Sequence, residues 1–279
     1  MESGHCTEPN YRAFSMPDSQ CSGSNAIQAR SSMTAEASRF PLHHRWDAFA
    51  FSTFVLLIWI AVLMGFVPEV VDQVRTRSFD YPILTHVHAL IFVGWLVLLT
   101  IQTALVRLHH VRLHRRLGMA AALMVPLMVV LGLTAAVWMF HRFYAPDFLP
   151  LNLSLRIADM VTFGGAASAG LVVRKRNPSA HKRLMLLASF CLTAAGFGRW
   201  WGDWMKARLG TGVLGKWAFD YPGVLMLILL LAAYDLVTRR RFNRPYMIAA
   251  VSVVTIQFVG AIVSVSPGWK PIAIMLIGR

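Results

Sequence analysis

The sequence predicts an all-α fold, a polytopic transmembrane helical bundle of about seven spans with its N-terminus cytoplasmic and its C-terminus outside. Composition is the first sign. Hydrophobic residues make up 56% of the 279 and charged residues 14%, where soluble domains carry about 25% charged residues. The second is a series of apolar runs close to the length of about 20 residues that crosses roughly 30 Å of hydrocarbon. The third is where the charge sits. Connectors 107–116, 174–183 and 239–244 hold thirteen Lys and Arg and no acid, while another mixes Glu69, Asp72, Arg75, Arg77 and Asp80. Basic connectors stay in the cytoplasm, so this alternation orients every span.

Residues 1–45 form a polar, Ser-rich tail with no apolar stretch of the signal-peptide kind, and disorder is expected there. The spans follow within residues 46–267, at 48–67, 83–106, 117–140, 155–173, 184–201, 223–237 and 247–265. Trp200, Trp201, Trp204 and Trp217 gather near one outer boundary, where amphipathic rings are favoured. Residues 268–279 form a short tail; its apolar segment 272–277 cannot cross and is expected at the interface.

A net charge of +14 raises nucleic acid as a partner. The excess lies in short loops beside apolar spans, with no reader motif, so it serves topology and attraction to anionic membrane lipid instead. Cys6, Cys21 and Cys191 show no CxxC spacing, which argues against a disulfide framework or a zinc site. P-loop, Rossmann, nucleophile-elbow and HExxH signatures are also missing.

Two short strings recur. Phe79-Asp80-Tyr81-Pro82 returns as Phe219-Asp220-Tyr221-Pro222, each at an outer boundary, where Asp is expected to cap a helix and Pro to sit in its first turn. His114-Arg115-Arg116-Leu117 echoes His181-Lys182-Arg183-Leu184 at the inner boundary, each opening a span that runs outward.

Polar groups inside hydrocarbon are costly and mark candidate sites. On the second span His88, Trp95, Gln102 and His109 recur every seven residues, so they share one helix stripe. His86 points to nearly the opposite side. The stripe reads either as a helix–helix seam, with Gln102 bonded to a neighbour, or as a redox or proton path. Asp159 on the fourth span and Arg199 on the fifth stand at the same height when counted from their shared inner loop, which predicts a buried salt bridge between them. That pair is a structural lock or part of a substrate or proton site. Small residues four apart on the fourth span (Gly164/Ser168, Gly165/Ala169, Ala166/Gly170) predict close helix approach. Asp235 is expected to reach the neighbouring basic loop.

His109, His110, His114 and His181 collect at the inner face. His114 and His181 begin two spans at equal depth, the arrangement in which two imidazoles clamp one haem iron; the alternative is capping or phosphate contact. At the outer side His86, His88 and His141 are available, but His141 stands about 9 Å higher than His88 on helix rise, which disfavours a second clamp.

Together, His86-Val87-His88-Ala89-Leu90, Trp95, Gln102, Leu113-His114-Arg115-Arg116-Leu117-Gly118, Asp159, His181-Lys182-Arg183-Leu184-Met185 and Arg199 resemble a family of uncharacterised bacterial polytopic membrane proteins, over residues 45–245. More distantly, the histidine-bearing helices are similar to the two-haem cytochrome b superfamily. That superfamily sets its ligands within spans in facing pairs, whereas here the inner histidines are interfacial. The resemblance implies a multi-pass protein of the bacterial inner membrane that binds haem b or serves quinone-linked electron transfer. His114 and His181 would be the inner ligands, His88 or His86 the outer one, and a quinone or redox protein the partner, with no metal besides haem iron. Two other readings stand beside it. One is a cofactor-free transporter or small-molecule binder using Asp159, Arg199 and the His88 stripe as a polar cavity. The other is a membrane assembly protein.

Overall fold

The computed structural model describes residues 40, 44–76, 81–145 and 149–279; most of the 1–45 tail, Cys6, Cys21, Phe79 and Asp80 lie outside the described residues. The helices are α1 (Asp47–Thr76), α2 (Ile83–Arg107), α3 (Val111–Arg142), α4 (Leu153–Val173), α5 (Pro178–Leu192), α6 (Ala194–Leu209), α7 (Val213–Asp220), α8 (Pro222–Arg239), α9 (Arg244–Val265) and α10 (Trp269–Leu276), with a 3-10 turn over Pro150–Asn152. Six stretches are long and apolar enough to cross a membrane: α1, α2, α3, α4 with its preceding turn, α8 and α9. The pair α5 and α6 makes a seventh if counted as one bent span. The chain is an all-α, multi-pass membrane bundle.

Helix α5 lies at its centre. Asn177 caps it by accepting the Ala180 amide at 2.9 Å, and Pro178 occupies the first turn. Leu187, Ala188 and Phe190 are fully buried against α4, whose Phe163 and Ala167 are equally sealed. Leu90, Leu123, Val130 and Val172 instead expose apolar side chains outward, the surface a lipid environment covers.

The expected single span at 184–201 is two helices that meet at Thr193 with a 44° bend. Thr193 Oγ1 donates to the Phe190 carbonyl at 2.6 Å, a side chain competing with the helix ladder. The bend carries Gly196 onto α1, where a Cβ on Gly196 would lie 2.5 Å from the Ala61 carbonyl oxygen. A Cβ on Gly65 would strike the Gly196 backbone in turn. This glycine crossing brings two helix backbones into direct contact, and it lies outside the small-residue stripes of α4. Of those stripes, Ala166/Gly170 turns inward, with Gly170 against Leu184 and Met185, while Gly165 faces open space.

An ionic network joins α1, α5 and α8 at the arginine-rich end. Arg183, with no exposed surface, binds Asp235 through Nε at 2.6 Å and a terminal nitrogen at 2.5 Å. Arg239 reaches both Asp47 oxygens at 2.6 and 2.8 Å, Lys182 reaches Asp47 at 2.6 Å, and the Tyr234 hydroxyl donates to Asp47 at 2.7 Å. Asp235 was expected to reach the basic loop beside it; Arg239, where that loop begins, stands 3.5 Å away, and the closer partner is Arg183 of α5. The network sets the rotation of α5 one and two residues beyond His181.

Candidate functional site

His114 and His181 occupy equivalent places, each in the first turns of its helix, and their rings meet. The centroids are 6.4 Å apart and the planes cross at 78°. His181 Nδ1 bonds the Gly170 carbonyl at 2.8 Å, which leaves Nε2 to act elsewhere. Across from it, the His114 ring lies against the Gln102 carbonyl, and its Nδ1 is buried with no hydrogen-bond partner. A backbone carbonyl on one ring nitrogen fixes the tautomer and the ring orientation of an imidazole.

Two readings fit this spacing: a plain edge-to-face ring contact, or two ligands of one ion. A ligating nitrogen stands about 2 Å from its metal and roughly 1 Å from its ring centre, so two rings on opposite sides of one ion hold centroids about 6 Å apart, a separation that an ordinary edge-to-face ring pair also has. Among the described residues, no three His, Cys, Asp or Glu side chains gather at one point to hold a metal ion. Arg115 lies near His114 and Arg174 near His181, so the pair sits in positive potential.

The α2 stripe survives in part. Trp95 is sealed in the core, donating to Ser189 Oγ at 3.1 Å and meeting Phe163 edge-on at 5.2 Å. Gln102 lies one stripe position nearer the arginine-rich end, and both of its amide atoms are buried without partners. His109 leaves the stripe, because α2 ends at Arg107 and His109 turns with φ +61. His88 packs on Phe92 at 4.1 Å with a buried, unpartnered Nδ1, and His86 is exposed. His141 is engaged by the Ile277 carbonyl at 2.7 Å, so the outer histidines form no facing pair.

The expected Asp159–Arg199 bridge is not made. Arg156, one turn before Asp159 on α4, takes the carboxylate at 3.0 Å and also binds Asp220 of α7. Local helix geometry wins, since residues three apart face one another without any help from tertiary packing. Arg199 turns to Glu69 at 2.6 Å and stacks on Phe66 at 4.3 Å, partly exposed. Asp220 therefore does not cap the helix after it. Burial raises its carboxyl above the ordinary range, against the pull of Arg156. Asp159 is thus held by Arg156, Arg199 by Glu69 and His88 by Phe92, while the Arg199 charge is felt at both His88 and Asp220. Arg156 escaped sequence reasoning, although its spacing from Asp159 was the available signal.

No family model matches the chain, and no curated protein or solved structure matches it.

Proposed function

We propose that this protein is a haem b-binding electron-transfer component of a bacterial inner membrane, with one haem held between His114 and His181 at the cytoplasmic face. The ring geometry of this pair carries the reading. Two imidazoles fill only two positions of a metal, and no third protein ligand stands by among the described residues. A haem supplies the remaining four ligands itself and brings a one-electron iron couple.

The chain's own residues do the rest. Gly170 fixes the tautomer of His181 through its carbonyl. Lys182 and Arg183, tied to Asp47 and Asp235, hold the helix that presents His181. The charges of Arg115 and Arg174 favour the arrival of an electron.

The test is the visible spectrum, oxidised and reduced, of protein purified from haem-replete cells. A Soret band lost in His114→Ala and in His181→Ala is expected. A colourless wild type would end this reading, and a band that survives both substitutions would move the ligands elsewhere.

A further inference from the structure

Asp159 and Asp220 share one arginine. Arg156 reaches Oδ2 of Asp159 at 3.0 Å through one terminal nitrogen and Oδ2 of Asp220 through the other. Asp159 is 5% exposed and Asp220 3%, so two carboxyl groups are sealed beside a single guanidinium. The Asp159–Arg199 pair expected from span heights would have been neutral. The pairing made instead carries one negative charge too many when both carboxyls are ionised.

The other cations at this end are engaged elsewhere. Lys216 bonds Asn152 at 2.7 Å and Arg199 bonds Glu69, so their charges are felt at Asp220 while their hydrogen bonds go to other partners. Cys191 of α5 and the Tyr221 hydroxyl lie close to Asp159, and that hydroxyl donates to the Leu155 carbonyl at 3.3 Å. Helices α3 and α9, which also pack on α4, carry ionisable groups only in their end turns. The second oxygen of Asp159, Oδ1, is buried with no hydrogen-bond partner. A bare carboxylate is costly away from water, and a buried ion without a full complement of partners neutralises by taking a proton.

We propose that Arg156, Asp159 and Asp220 form a binding site for one exchangeable proton. A hydronium ion hands its proton to Oδ1 of Asp159 and leaves as water, and the Arg156 charge then balances Asp220 alone. Access is from the aqueous phase at the end of the bundle away from the arginine-rich connectors, where the Arg156 side chain is 27% exposed. The site is independent of the histidine pair. Gly170, which bonds His181, lies about 17 Å further along α4 by helix rise.

The experiment is infrared spectroscopy of the full-length protein in detergent at neutral pH, in water and in heavy water, with circular dichroism to check folding. A protonated-carboxyl stretch that shifts in heavy water is expected in the wild type and lost in Asp159→Asn. Asp220→Asn is expected to abolish the same band, because the one remaining carboxylate then has Arg156 to itself. An acid held neutral by burial alone would keep its proton in Asp220→Asn, so a band surviving there would overturn the shared site. A band surviving in Asp159→Asn would place the proton on another carboxyl and overturn it too. So would a wild type without the band, the result expected where an alkali metal ion takes the proton's place. Asparagine keeps the size and shape of each side chain, and either variant tests the proposal where the other misfolds.

Discussion

Arg183 and Asp235 form a two-pronged ion pair from which both side chains are sealed, with 0% and 1% of their surface exposed. Arg183 also donates to the Ser179 carbonyl and hydroxyl, each at 2.8 Å. Breaking such a pair leaves an uncompensated buried charge and costs about 3–5 kcal/mol. Asp235→Ala is therefore expected to lower the thermal midpoint in detergent steeply. The double variant Arg183→Met with Asp235→Leu should recover most of the loss. A single variant as stable as wild type would remove the pair from the core.

The partners of Asp159 and Arg199 can be told apart by substitution. Arg156→Met strands Asp159 and Asp220 and should destabilise by about 3–5 kcal/mol. Arg199→Met removes a half-exposed contact with Glu69 and should cost about 0–1 kcal/mol. The order of the two thermal midpoints decides which arginine holds Asp159; a reversed order would restore the pairing expected from span heights.

Backbone contact between α1 and α6 depends on Gly65 and Gly196. Gly196→Ala pushes the helices apart and should cost about 1–3 kcal/mol as an overpacked site. Gly165→Ala, which meets open space, serves as the control and should change little. Both are read from thermal unfolding followed by intrinsic fluorescence.

The 78° crossing of the His114 and His181 rings bears on the proposed haem. Nearly perpendicular axial imidazoles leave two iron d orbitals close in energy, which gives a highly anisotropic low-spin signal in electron paramagnetic resonance. That signal is expected in oxidised, haem-loaded protein and should vanish in His181→Ala. A rhombic signal of the parallel-plane type would contradict the ring geometry.

Trp95→Phe removes the indole donor to Ser189 while keeping the edge contact with Phe163. The expected cost is about 1 kcal/mol, the net worth of one hydrogen bond. A larger loss would mean that Trp95 anchors the bundle centre through its size.

The amino-acid sequence by itself determined the helical class, the positions of the apolar runs and the equal depth of His114 and His181 at the starts of their helices. These follow from one-dimensional quantities: run length against hydrocarbon thickness, loop charge, and height counted along a helix axis. Only the tertiary structure decided which side chains at a given height face one another. Rotation about each axis is invisible to counting, so Asp159 found Arg156 on its own helix and Arg199 found Glu69. The bend at Thr193 and the glycine crossing of α1 and α6 were likewise out of reach, because both depend on what lies across the interface. The turn that takes His109 off its stripe shows the same limit: periodicity holds only while the helix continues.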